Sequence, residues 1–259
     1  MIVLTLATAG VAQVPEGAGP EDKGRAIAEE ANRRDTGFVD TVTDITMTLM
    51  SADGRTRQRR LTWRTLEEPS KTEGDKSLTI FHEPRDIAGT AFLSFTHINA
   101  PDDQWLYLPS LKRVKRIAAA NQSSSFMGSE FSYEDLLSDE VEKFDYRWLR
   151  DEPCDGGTCF VLERRPRYAD SGYSREVVWI DESEYRDMKV DYYDHHGKLQ
   201  KTLTFAGYEQ YLGKFWRAHE LKMVNHQTEK QTLLSFGKYE FDTGLTEQDF
   251  DPSALDRLR

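Results

Sequence analysis

Few residues in this chain have the type and spacing needed for chemistry. Cys154 and Cys159 flank Asp155-Gly156-Gly157-Thr158, a turn sequence. A disulfide across such a turn suits an oxidising compartment, and its short loop makes it a modest staple. A metal site would need further ligands, and none is spaced nearby. His195-His196 lies between Asp194 and Gly197 in a turn pattern, and neighbours on a strand point to opposite sides. His82, His97, His219 and His226 are isolated. The sequence has no GxSxG elbow, HExxH pair, phosphate loop or dinucleotide fingerprint. The carboxylate pairs Glu134-Asp135 and Asp139-Glu140 read as acids that serve a helix start or solubility. No catalytic residue, metal or cofactor is assigned, and the chain is not read as an enzyme.

Two groups point to binding instead. Lys112, Arg113, Lys115 and Arg116 form a basic cluster, either a docking patch for a lipid headgroup or acidic partner, or a solvated face. Phe126-Met127-Gly128 follows a Ser-rich stretch and reads either as a mobile flap at a cavity mouth or as a helix packed inward.

The chain has 259 residues and a formal net charge of −11. Its isoelectric point is about 5.1 and its mean hydropathy −0.68. An acidic surface argues against a nucleic-acid partner, which needs a basic stripe to displace counterions. It also argues against lying flat on anionic lipid. Met1–Ala12 is uncharged and apolar, too short to cross a bilayer, which takes about 20 residues. Small residues near its end suggest a secretory signal over 1–13. Residues 14–22 are rich in Pro, Gly and acids and read as a flexible leader.

The elements that must position these groups are mostly strands. A helix is predicted over 21–34 from the weak stripe Ala26, Ile27 and Ala31. Ile45, Met47 and Leu49 then alternate with Asp44, Thr46 and Thr48, giving one apolar and one polar face. Further strands are predicted over 57–65, 78–82, 89–98, 105–108, 159–164, 176–181, 187–193, 199–209, 215–225 and 231–242. Residues 110–140 break the alternation and read as loop and short helix. Short turns between so many strands build an antiparallel meander, and such a sheet tends to curl. Residues 23–259 are read as one domain.

One face of many strands is apolar: Met47/Leu49, Leu61/Trp63, Ile80, Phe92, Trp105/Tyr107, Val178/Ile180, Met188/Val190, Leu203/Phe205 and Met223. In a curled sheet these residues line the inside, as filled core or as ligand cavity. Periodicity by itself favours filled core and cannot separate the two.

Residues 105–136 read WLYLPSLKRVKRIAAANQSSSFMGSEFSYEDL. This block resembles the most characteristic segment of the LolA-like outer-membrane lipoprotein-sorting protein family. The matching features are Trp105, Tyr107-Leu108-Pro109, Arg113-Val114, Arg116-Ile117, Ser125-Phe126-Met127-Gly128-Ser129, Phe131, Tyr133 and Glu134-Asp135-Leu136. The likeness extends through the Met47/Leu49 strand, Trp179-Ile180-Asp181 and the closing Phe250-Asp251-Pro252, so it covers nearly the whole mature chain.

The resemblance implies a mainly β fold with some α: a LolA-like incomplete antiparallel β-barrel, a curved sheet wrapped over a few helices. It implies an apolar cavity that carries lipid or lipoprotein acyl chains across the periplasm. Phe126, Met127, Phe131 and Tyr133 join the strand residues above as expected cavity contacts. The subgroup is similar to proteins associated with RND/MMPL-type inner-membrane transporters, so such a transporter and an outer-membrane acceptor are the expected partners. A non-transporting accessory or sensor module of the same transporter is the alternative, and an envelope lipid hydrolase a third.

Overall fold

The computed structural model describes residues 17–68, 73–138, 140–155 and 157–257. The expected signal segment lies outside them. A helix, α1 (Pro20–Asp35), leads into β1 (Asp40–Met50), β2 (Thr56–Leu66), β3 (Glu73–Glu83), β4 (Ala91–His97), β5 (Asp103–Leu108) and β6 (Arg113–Ile117). The described residues of the connection over 118–143 form short 3-10 turns and one isolated antiparallel bridge, Ser125 with Ser132. Then follow β7 (Phe144–Cys154), β8 (Gly157–Pro166), β9 (Arg175–Asp181), β10 (Asp187–Tyr193) and β11 (Leu199–Ala206). The small hairpin of β12 (Glu209–Tyr211) and β13 (Phe215–Arg217) precedes β14 (Glu220–Asn225), β15 (Gln231–Phe236) and β16 (Glu240–Phe241).

The strands form one large, curved antiparallel sheet that does not close, ordered β6-β5-β4-β3-β2-β1-β15-β14-β11-β10-β9-β8-β7. Two meanders meet where β1 pairs with β15, with Met47 opposite Leu234. The consequence is that β6 and β7, neighbours in sequence, form opposite edges of the sheet. Residues 118–143 must therefore cross the hollow from one edge to the other.

The curvature is legible in the packing. One face carries a single apolar cluster running from Ile117 of β6 to Phe144 and Tyr146 of β7, together with Ile27 and Ala28 of α1. The opposite face breaks into two separate clusters, one around Leu78, Leu93 and Phe250, the other around Cys159, Val161 and Trp179. A bent sheet brings side chains together on its concave side and spreads them on its convex side. The convex cluster on β3 and β4 is covered by the C-terminal segment through Phe250 and Leu255, each 1% exposed. Asp40 holds that segment in place: its carboxylate accepts from the Thr243 hydroxyl and from the backbone N–H groups of Thr243, Gly244 and Leu245.

The strands expected over 215–225 and 231–242 are each interrupted, giving β13 and β14 and then β15 and β16, and three further elements differ from expectation. The leader over 14–22 gives way to α1 at Pro20, because a proline at the helix start and acids at Glu21 and Asp22 are helix N-terminus signals. β6 lies in the stretch read as loop; its five residues include three basic ones and offer no alternating pattern. β7 was missed although Phe144, Tyr146 and Trp148 alternate with Asp145 and Arg147. Each strand forms an edge, with a single neighbour to satisfy.

Candidate functional site

A cavity of about 1060 Å³ opens to solvent between α1 and the concave face. Leu162, Val178, Ile180 and Phe205 of the sheet form its apolar floor, Ala28 and Ala31 of α1 one wall, and Val141 of the crossing connection another. Its volume lies at the upper end of small-molecule pockets, roughly 300–1,000 Å³.

The rim is charged. Glu67, Glu68, Glu73, Asp75, Glu140 and Glu142 line one part of it, Arg33, Arg34, Arg186 and Lys214 another. The arginines are anchored from behind. Arg33 and Arg34 both donate to Glu30, whose side chain is 1% exposed. The Arg33 hydrogen bond dominates in holding the Glu30 carboxyl below the usual range, against the cost of its burial. Arg186 donates to Asp181 at 2.6 Å and lies over the Trp216 ring. Asp75 accepts from the Glu68 backbone N–H at 3.0 Å, and burial in the cavity wall pushes its carboxyl up to about 6.

The rest of the hollow is filled by the crossing connection. The Phe126 ring packs 5.8 Å from Phe81, 5.1 Å from Phe92 and 5.5 Å from Tyr133. The chain turns back at Met127 and Gly128, whose φ angles of 51° and 75° are both left-handed, so that the Phe126 N–H reaches the Phe131 carbonyl at 2.7 Å. Glu130 fastens the turn to β14 and β15: its N–H donates to Thr232 Oγ1 and its carboxylate accepts from Asn225 Nδ2.

A buried polar latch fixes the far end. Lys201 Nζ donates to Tyr173 Oη at 2.9 Å and lies 3.4 Å from Asp135 Oδ2. The Tyr173 hydroxyl donates to Asp135 Oδ1 at 2.8 Å. The Lys201 and Asp135 side chains are 8% and 1% exposed. Beside them, Glu134 Oε1 accepts from the Gly172 N–H at 2.9 Å. Its other oxygen is buried with no partner among the described residues. Burial first, and the neighbouring Asp135 charge second, push the Glu134 carboxyl up to about 7.

An outer membrane lipoprotein-sorting protein domain from Vibrio parahaemolyticus is 50% identical to this chain, with a TM-score of 0.89. The match covers 92% of this chain and 100% of that one. The chain belongs to the same outer-membrane lipoprotein-sorting family as that domain. A DUF1329 family protein from Desulfovibrio piger is 29% identical with a TM-score of 0.86, over 92% of this chain and 100% of that one. A LolA superfamily protein from Nitrosomonas europaea has the same fold, at 19% identity and a TM-score of 0.70, over 88% and 97% of the two chains. A family model described only as an uncharacterized protein matches residues 73–257. Comparison with curated proteins gave no match.

Within this sorting-family frame the expected cavity residues separate into three groups. Val178, Ile180 and Phe205 line the large cavity. Met47, Leu61, Phe92, Phe126, Phe131, Tyr133, Val190, Leu203 and Met223 are buried in the concave core, with Leu49, Trp63 and Met127 packed against it. Leu49 also lines a smaller hollow of about 440 Å³ beside Gly128 and Thr232.

Ile80, Trp105, Tyr107 and Met188 are corrected to the opposite face. The first three pack under the C-terminal segment and Met188 packs with the disulfide cluster. For Ile80, Trp105 and Tyr107 the strand parity was read one residue out, and a one-residue step reverses a side chain. Met188 is turned away from the face of Val190 by the bulge between Asp187 and Lys189 in the β9–β10 ladder. Phe126, 1% exposed, is a plug and not a flap. Glu134 and Asp135 are buried anchors and not solvating acids. Asp139 lies outside the described residues.

Lys112, Arg113, Lys115 and Arg116 are exposed around β6. Cys154 and Cys159 are bridged, with Cα atoms 5.7 Å apart, across the β7–β8 turn. His195 and His196 occupy the β10–β11 turn, with His195 Nε2 2.9 Å from the Ser171 carbonyl. The lining residues that sequence reading missed include Ala28, Val141, Tyr146 and Leu162. For Tyr146, strand alternation was signal enough. Leu162 ends the unbroken apolar run from Cys159, in which no alternation marks a face. Nothing local marks Ala28 or Val141 as cavity wall.

Proposed function

We propose that this protein is a periplasmic carrier that binds the acyl chains of a lipid or lipoprotein in the cavity under α1 and passes them towards the outer membrane. The observation that carries this reading is the cavity: about 1060 Å³, apolar at its floor, charged at its rim and open to water. Acyl chains go to the floor, and a polar headgroup stays among the rim side chains. Burial is worth about 0.8 kcal/mol per methylene, so a chain of roughly 16 carbons gains on the order of 12 kcal/mol on leaving water. Such a chain crosses an aqueous compartment only when sheltered.

Other observations support the setting. The Cys154–Cys159 disulfide fits an oxidising compartment. The sorting-protein domain from Vibrio parahaemolyticus supports the cargo class. The function is one of binding and release, with an RND/MMPL-type inner-membrane transporter as donor and an outer-membrane component as acceptor.

The test is native mass spectrometry of the full chain purified from periplasm. The expected result is one bound lipid per protein, lost in Ala31→Trp, which places a ring in the cavity, with thermal unfolding unchanged. A folded wild-type protein that carries no lipid and takes up no fluorescent fatty acid overturns the proposal.

A further inference from the structure

The two edges of the sheet are finished differently. Edge β7 is covered by α1, whose Gly24 touches the backbone of Arg147 and Trp148. Edge β6 is flanked by the C-terminal turn Pro252–Arg257, which packs against β5 and β6, but no segment among the described residues pairs with its outward backbone. Beyond its ladder with β5, Arg113–Ile117 make no backbone–backbone hydrogen bond among those residues, and Arg113, Val114, Lys115 and Arg116 are all exposed. A free antiparallel edge turns the N–H and C=O of every second residue outward, ready to pair with another strand.

The register with β5 sorts the side chains along this edge. Arg113 and Lys115 stand opposite Leu108 and Leu106, on the concave-facing side. Val114 and Arg116 stand opposite Tyr107 and Trp105, on the convex side. Arg116 is neutralised by Asp103. Lys112, Arg113 and Lys115 have no acidic partner within salt-bridge distance among the described residues, and Leu111 and Val114 are 62% and 37% exposed.

Lysines on an edge strand also serve to repel stray strands. That role does not account for apolar side chains left exposed among them. Nor does it suit a chain of net charge −11, where three unpaired cations form a local field of the opposite sign. A second copy is a poor occupant, because antiparallel pairing of β6 with itself sets cation against cation.

We infer that β6 is a docking edge for an acidic extended segment of a partner protein, which adds to the sheet as its next strand. The pleat sets the recognised pattern. Two acidic residues at alternate positions face Arg113 and Lys115, and an apolar residue between them lies beside Val114. This inference is independent of the cavity and survives if no lipid binds there.

The test uses the full chain and a fluorescein-labelled peptide of alternating Glu and Val, read by anisotropy. The expected result is saturable binding that weakens about tenfold or more in R113E/K115E, with thermal unfolding unchanged. N-methylation of every second peptide amide should abolish binding, because it removes the ladder donors while keeping the charges. Absence of saturable binding, equal affinity of the N-methylated peptide, or unchanged affinity of R113E/K115E each overturns the inference. Binding of the chain to phosphatidylglycerol vesicles that R113E/K115E abolishes, with no peptide binding, overturns it in favour of a membrane-facing patch.

Discussion

Gly24 of α1 lies so close to Trp148 of β7 that a Cβ on it would come 2.7 Å from the Trp148 amide nitrogen. The helix thus rests directly on the backbone of an edge strand, and this contact sets the height of the wall above the cavity. Gly24→Ala adds a methyl where backbone stands on the other side. Alanine gains up to about 1 kcal/mol in helix propensity. Overpacking against an unyielding neighbour costs about 1–3 kcal/mol. The expected net outcome is a loss of roughly 1–2 kcal/mol in urea unfolding, with altered lipid uptake. A variant as stable as wild type would show that α1 can lift away freely.

The Glu134 carboxyl, near 7 in the folded protein against 4.5 for the free group, makes stability fall as pH rises. The folded state keeps its proton while the unfolded chain releases one, so the stabilisation is complete below about 4.5 and lost by about 7. The loss is at most about 3 kcal/mol. Glu134→Gln should flatten the profile of urea midpoint against pH in this window and exceed wild type at about pH 8. Asp75 adds a smaller slope of the same sign between 3.8 and about 6, which remains in the variant. An identical profile in Glu134→Gln would place the titration elsewhere.

Lys201 and Asp135 share the latch that holds the crossing connection on the sheet. Lys201→Met strands a buried carboxylate, which costs roughly 3–5 kcal/mol. Adding Asp135→Asn in the same chain should recover part of the loss, because the pair is then neutral. Equilibrium unfolding of both variants measures the coupling. A single-variant loss below about 1 kcal/mol would mean that the latch is open in solution.

The disulfide joins residues only five apart in sequence, so it restrains the unfolded chain little. Replacing both cysteines by serine should cost about 2 kcal/mol. The remaining cluster partners of Cys159, including Val161 of β8 and Trp179 of β9, keep that end of the sheet packed. Thermal unfolding with and without reductant, compared with the double variant, checks this. Failure of the reduced protein to fold would assign the bridge a larger role.

Much of the fold was legible because strands write their faces into sequence with a period of two. The alternation at Ile45, Met47 and Leu49, the turns at Gly54 and Gly197, and the Cys154–Cys159 spacing were all readable locally. The edge strand β6 was unreadable for the same reason: Arg113, Lys115 and Arg116 face water on both sides, so no alternation arises. Ile80 and Tyr107 misled because their faces are buried too, under Phe250 and Leu255, and a pattern of apolar residues does not say which cover lies over it.

The sequence alone determined that this chain forms many short antiparallel strands with a helix before them, and that its turns and disulfide lie where they do. Those features depend on neighbours a few residues away. The tertiary structure decided which side of the sheet is concave, that β6 and β7 become distant edges, and that 118–143 plugs one part of the hollow and leaves the part under α1 open. These outcomes follow from the pairing of β1 with β15 and from the contact of Gly24 with Trp148, between residues separated by more than a hundred positions. Such contacts are set by the packing of whole elements, and no local pattern encodes them.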